Sequence, residues 1–248
     1  CDSMSSPMDT ARIAALLTPF TANSLSEEQL GNISIYIDML IRWNQKLNLT
    51  AIRDPEQIVT RHFGESLFAA EHLVPASTHV GADTAARPPE RSSASPSDFA
   101  KRASNAPKVI DVGSGAGFPG VPIKIRFPEL ELVLIESNHK KATFLREVIR
   151  SLRLSDAEVF AGRAEDYPAA SADIVTLRAV ERFTSALPAA AHLVAPLGRL
   201  GLLIGQSQVA EVAPLTPEFA WATQVAIPLS TGRVLLSGTR QGRQESKS

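Results

Sequence analysis

The apolar residues change their period along this chain. From Ser26 to Ala51, the residues Leu30, Ile33, Ile37, Leu40, Ile41 and Leu47 recur at three- and four-residue steps. That spacing lines one face of a single long helix. Ser26 followed by Gln29 supplies a capping box at its start. A second helix is predicted from about Pro55 to Leu73, with Asp54 as N-cap and Pro55 in the first position. Residues 9–75 therefore read as a helical N-terminal part. From 76 to 107 only Val80 and Phe99 are large and apolar. Such a stretch buries too little surface to offset its ordering entropy and reads as a flexible insertion or linker.

Beyond it, short apolar runs alternate with helical patterns. Strands are expected at Lys108–Val112, Glu131–Glu136, Ala157–Phe160, Asp173–Leu177 and Arg199–Ile204. Helices are expected at Pro119–Phe127, His139–Leu152 and Thr184–Leu193. Trp221–Leu229 and Arg233–Ser237 read as a closing antiparallel pair. The alternation implies an α/β core over 108–240, with a mostly parallel sheet and helices on both faces. The basic residues Arg240, Arg243 and Lys247 read as a frayed terminus, and 241–248 as a disordered tail.

Ligands in such sheets sit at the carboxyl ends of the strands. Those ends carry Gly113, Glu136, Gly162–Glu165, Arg178 and Gly205. The first is part of VIDVGSGAGFPG (Val109–Gly120), where glycines fall at Gly113, Gly115 and Gly117. A dinucleotide turn wants a third glycine where Phe118 stands. A phosphate-binding P-loop wants Lys and Ser/Thr where Val121 and Pro122 stand. The D-x-G-x-G-x-G turn of S-adenosylmethionine enzymes is matched at Asp111, Gly113, Gly115 and Gly117. Glu136, at the end of the next strand, can accept both ribose hydroxyls. A glycine turn without a ligand is the remaining alternative.

Composition narrows the classes. The chain has 248 residues, 44% of them hydrophobic, with a net charge of −1. That is enough for one sizeable α/β core plus an appendage. No global basic field draws it to RNA or to a membrane, so any nucleic-acid contact must come from a local patch. The one cysteine, Cys1, leaves no disulfide framework and no cysteine metal site. No apolar run approaches the ~20 residues of a membrane span, and the opening CDSMSSPMDT lacks a signal-peptide pattern. A soluble, cytoplasmic protein without a metal is expected.

Longer motifs go further. WNQKLNLTAIRDP (Trp43–Pro55), RHFGESL (Arg61–Leu67), DVGSGAGFPGVPIKI (Asp111–Ile125), KKATFLREV (Lys140–Val148), RAEDYP (Arg163–Pro168) and Leu177–Ala179 together resemble the bacterial 16S rRNA guanine-N7 methyltransferase family, also called the glucose-inhibited division protein B family. The resemblance covers about 27 to 240 apart from 76–107. It implies a class I S-adenosylmethionine-dependent fold, Rossmann-like, with a helical N-terminal extension. It also implies methylation of one guanosine in the helix 18 loop of small-subunit RNA, on free 16S rRNA or on the subunit, by a monomer. The cofactor would lie against Gly113 and Phe118, with Glu136 on the ribose, Ala164 and Glu165 along the adenine, and Arg178 near the methionine end. Two features depart from the family. Some thirty residues replace its short link before the first core strand. Ile204-Gly205-Gln206 lacks the lysine that members often carry there.

Guanine N7 is a neutral lone pair carrying no proton, so its methylation needs positioning and no general base. That fits the lack of a catalytic dyad in the sequence, and it leaves Arg178 as a positioning candidate only. N7 lies on the edge that faces the deep, narrow groove of A-form RNA, so the base must come from a loop or swing out. Arg42, Lys46, Arg53, Arg61, Lys140 and Lys141 are the candidates for phosphate contacts, though solvated helix faces, or an Arg61–Glu65 pair at i,i+4, would equally use them. Trp43 reads as core packing and His62 as a satisfied structural histidine. Competing functions are a nicotinamide-dependent dehydrogenase, a non-catalytic RNA-binding ribosome-assembly factor, and a methyltransferase acting on another RNA or a small molecule.

Overall fold

The computed structural model describes residues 8–75, 106–178 and 183–242. The expected linker at 76–107 and the expected tail at 241–248 lie almost wholly outside them.

The described chain opens with helices. Helix α1 (Thr10–Leu17) precedes the long helix α2 (Glu27–Leu47). The capping box forms as expected: Gln29 N–H donates to Ser26 Oγ at 3.2 Å, and Ser26 N–H donates to Gln29 Oε1 at 2.9 Å. The helix ends at Leu47, not Ala51, because Asn48 takes the left-handed conformation at φ 47°. Asn44 then holds the reversing chain, accepting from Thr50 N–H at 2.9 Å and donating to its carbonyl at 2.8 Å.

The helix expected over 55–73 is present but not uniform. It runs as α3 (Pro55–Ile58), a π-helical segment Val59–Gly64, and α4 (Glu65–Leu73). Asp54 caps it through Gln57 N–H at 2.8 Å. The wider π turn changes the angular step between side chains. His62 and Glu65 lie toward the sheet, where both meet Arg178.

The core strands are β1 (Lys108–Val112), β2 (Glu131–Ile135), β3 (Ala157–Phe160), β4 (Ala172–Arg178), β5 (Val194–Gly205), β6 (Phe219–Trp221), β7 (Val225–Ala226) and β8 (Arg233–Arg240). Their order is β3-β2-β1-β4-β5-β8-β6, with β7 also on β8. The first five are parallel and β8 is antiparallel to β5. Helices α5 (Gly120–Arg126), α6 (His139–Ser151), α7 (Phe183–Leu193) and α8 (Val209–Leu215) pack on this sheet.

Two details depart from the expected closing hairpin. The 221–229 stretch is not one strand but two short ones, β6 and β7, both on the same neighbour. Trp221 explains the close contact at one end: its indole covers Gly238, where a Cβ would meet the ring at 2.7 Å. Arg240 is not frayed: it ends β8 and donates from Nη1 to the Val194 carbonyl.

Strand residues alternate between two apolar layers, as a sheet buried on both faces requires. Val109, Leu132, Leu134 and Leu203 meet the N-terminal helices and α6 in one layer. Ile110, Val133, Val175 and Leu202 meet α7 in the other. The helical N-terminal part thus shares its core with the sheet, and this places its π segment beside the carboxyl end of β4.

Candidate active site

The turn after β1 is built on three left-handed glycines, Gly113 (φ 65°), Gly115 (φ 57°) and Gly117 (φ 85°). Beneath it Asp111 is fully buried. Its Oδ1 accepts from Thr176 Oγ1 at 2.8 Å and its Oδ2 from Gly120 N–H at 3.2 Å. Burial pushes its pKa up to about 6, and these hydrogen bonds hold it lower than burial alone would. Asp111 therefore ties β1, β4 and the start of α5 together underneath the turn.

Glu136 follows β2 directly and is 7% exposed. Oε2 accepts from Gly115 N–H at 2.8 Å and Oε1 from Asn138 N–H at 2.7 Å. An ionised carboxylate has about four lone-pair positions, so each oxygen keeps one for a ligand hydroxyl. Beside it opens a cleft of about 330 Å³, lined by Gly113, Ile135, Gly162, Ala164 and Glu165 among others. Glu165 belongs to the wall, but its carboxylate faces solvent and pairs with Arg163 at 3.3 Å.

The far end of the glycine turn faces elsewhere. A Cβ at Gly117 would overlap the Tyr36 hydroxyl and meet Leu145 at 3.1 Å. Phe118 is 7% exposed and lies between two near-parallel rings, Tyr36 at 5.4 Å and His62 at 4.8 Å. Gly117 and Phe118 thus meet the N-terminal helices, while Gly113 and Gly115 meet the cleft and Glu136.

Arg178 ends β4 and turns toward the π segment. Its Nη2 donates to the Arg61 carbonyl at 2.6 Å, to His62 Nδ1 at 3.2 Å and to Glu65 Oε2 at 3.1 Å. Glu65, 1% exposed, is also 3.0 Å from Arg233 Nη2 and 3.6 Å from Arg61 Nε. Three guanidiniums around one carboxylate leave an excess of positive charge. Burial pulls Arg178 down to about 10, with Glu65 opposing. Burial, then Arg178, Arg61 and Arg233, pull His62 down to about 3, so its ring is neutral.

Glu65, Arg233 and Tyr36 were not legible as site residues. Glu65 has a signal in RHFGESL, but its role depends on the π turn. Arg233 reaches the cluster only because β8 pairs with β5 in the register Gly205↔Arg233.

The basic candidates separate. Arg42, Lys46 and Arg53 are exposed on or just after α2, and Lys140 and Lys141 occupy the first turn of α6, beside Glu136. Among the described residues no ion pair engages these five. Arg61 is half exposed and joins the Glu65 cluster. Trp43 packs on Phe144 at 5.6 Å. Among the described residues there is no His/Cys/Asp/Glu group suited to a metal, and no helix is long and apolar enough to cross a membrane.

The sequence matches the family model described as rRNA small subunit methyltransferase G over residues 29–83 and 92–233. The interruption falls inside the 76–107 segment. It is 34% identical to ribosomal RNA small subunit methyltransferase G of Xanthomonas campestris pv. campestris strain B100, over 82% of this chain and 81% of that protein. It is likewise 34% identical to the protein of that name from Exiguobacterium sp., over 88% and 82%. Among solved structures, a predicted O-methyltransferase from Agrobacterium tumefaciens aligns with TM-score 0.49 and 20% identity, over 57% of this chain and 77% of that one. The family model and the two relatives of that name lead to one assignment: the chain belongs to the rRNA small subunit methyltransferase G family.

Proposed function

We propose that this protein transfers a methyl group from S-adenosylmethionine to N7 of a guanosine in the helix 18 loop of 16S rRNA. The observation that carries the reading is Glu136, held by Gly115 and Asn138 with acceptor capacity left on each oxygen, between Ile135 and Ser137, which line the adjoining cleft.

The residues present fit a nucleoside cofactor. Glu136 would take the ribose hydroxyls, Gly113 allows close backbone approach, and the wall formed by Ile135, Ala164 and Glu165 suits the flat adenine. Bound there, S-adenosylmethionine supplies a methyl carbon on a sulfonium sulfur, which accepts the electron pair of the breaking C–S bond. Arg178 and Arg233 give the neighbouring end of the site its positive charge, suited to a carboxylate or a phosphate.

The protein's part in the reaction is positional. The N7 lone pair needs no proton removed, and His62, with a pKa of about 3, is a poor base at neutral pH. Arg42, Lys46, Arg53, Arg61, Lys140 and Lys141 are assigned to RNA phosphates, which makes binding salt-dependent. The subunit or its free 16S rRNA is the partner, the protein acts as a monomer, and the compartment is the cytoplasm, where that RNA is.

The test is labelled methyl transfer to small subunits from cells lacking the modification, followed by mass-spectrometric mapping. A 7-methylguanosine in the helix 18 loop is expected. No incorporation by folded, cofactor-bound protein would favour the assembly-factor alternative.

A further inference from the structure

We propose that His62 is the platform on which the acceptor guanine stacks, a role that rests on the functional reading above. Tyr36, Phe118 and His62 form a ladder of near-parallel rings, 10° apart at the first step and 19° at the second. His62 is its outermost rung and is only partly buried. The imidazole rim is engaged: Nδ1 accepts from Arg178 Nη2 at 3.2 Å and Nε2 donates to Thr50 Oγ1 at 2.7 Å. Phe118 covers one face. The residue keeps partial exposure, which is assigned here to the face away from Phe118.

That face stands in the right place. Ligands enter an open α/β sheet across the carboxyl ends of its strands. The cleft at the ends of β1 and β2 is assigned to the cofactor. The acceptor then falls to the end of β4, where Arg178 meets His62. A base drawn out of an RNA loop loses its stacking neighbours, and an aromatic side chain restores a partner worth roughly tenfold to a hundredfold in affinity. Two rim hydrogen bonds and the Phe118 contact fix the imidazole plane, so the base is presented in one orientation. As N7 gains its methyl group, positive charge develops on the purine. A neutral π face accommodates that charge and an imidazolium would repel it. The neutrality of His62 has a cause in its burial and in the three arginines nearby. Arg61, adjacent in sequence and half exposed, is placed to meet the flanking phosphate.

The experiment compares wild-type protein with His62→Phe, His62→Leu and His62→Gln. It measures kcat and KM for unmethylated small subunits, the Kd for S-adenosylmethionine by calorimetry, and the melting temperature. Phe keeps the stacking face and loses both rim hydrogen bonds. Gln keeps a hydrogen-bonding group and has no ring. Phe is expected to stay within about fivefold of wild type in kcat/KM, while Leu and Gln fall by roughly thirtyfold or more, in the range a lost stacking partner implies. Cofactor Kd should move less than about threefold in all three, since His62 does not line that cleft. If Gln restores activity and Phe does not, His62 serves only to hold Arg178, and the proposal is overturned. A loss in kcat/KM matched by an equal loss in cofactor affinity overturns it too. If wild-type protein itself transfers no methyl group, the functional reading falls first.

Discussion

Tyr36 of the N-terminal helix α2 lies parallel to Phe118 of the glycine turn, ring centroids 5.4 Å apart, and its hydroxyl donates to the Ala116 carbonyl inside that turn. One side chain thus braces the glycine turn from outside the sheet. Tyr36→Phe keeps the stacking and leaves the carbonyl unpaired, at a cost of about 1–2 kcal/mol. Gly117→Ala combines a positive φ with overlap on the same hydroxyl and is expected to cost about 3 kcal/mol. Urea unfolding of both variants checks the order; equal stability of Gly117→Ala and wild type would refute this packing.

Glu136 holds two backbone N–H groups, so its replacement touches the loop as well as the proposed ligand contact. Glu136→Gln presents an amide N–H₂ to one of those donors and loses the charge. The Kd for S-adenosylmethionine is expected to rise by at least about tenfold, as loss of a charge-assisted pair implies. Titration calorimetry reads this directly, and an unchanged Kd would remove Glu136 from the site.

Glu65 pairs with Arg61, Arg178 and Arg233. Glu65→Gln leaves buried guanidiniums without their counter-charge and is expected to lose about 3 kcal/mol. Arg233→Met in the same chain removes part of that repulsion. The double variant should therefore lose less than the sum of the two single ones. Strict additivity in denaturant melts would show that these groups are not coupled.

Two groups give the stability opposite pH dependences. His62 titrates near 3 when folded, against about 6.5 unfolded. Its contribution is present above about 6.5 and is lost as pH falls toward 3. Asp111 titrates near 6, against about 3.9 unfolded. Its contribution is full below about 4 and is lost as pH rises through 6. Relative to wild type, His62→Phe should therefore gain about 2–3 kcal/mol as pH falls from 7.5 to 4.5. Asp111→Asn should gain somewhat less, about 2 kcal/mol, as pH rises over the same interval. Its amide can accept from Gly120 and donate to a reoriented Thr176. Melting curves across the interval test both, and parallel curves for all three proteins would contradict the assignments.

The sequence by itself determined the local elements and half of the site. Ser26 with Gln29, and Asp54 with Pro55, mark helix starts because capping is settled by residues three apart. The short apolar runs mark strands buried on both faces. The spacing from Asp111 through the glycines to Glu136 foretells a turn and a facing acid, because one β-α-β unit sets that distance. The tertiary structure alone decided the rest. The π turn over Val59–Gly64 leaves no periodic signature, yet it sends His62 and Glu65 to the end of β4. Arg233 joins them through the β5–β8 register, and Tyr36 reaches Phe118 through helix packing. Contacts made by side chains far apart in sequence depend on how layers stack and strands pair, and no short-range pattern encodes that.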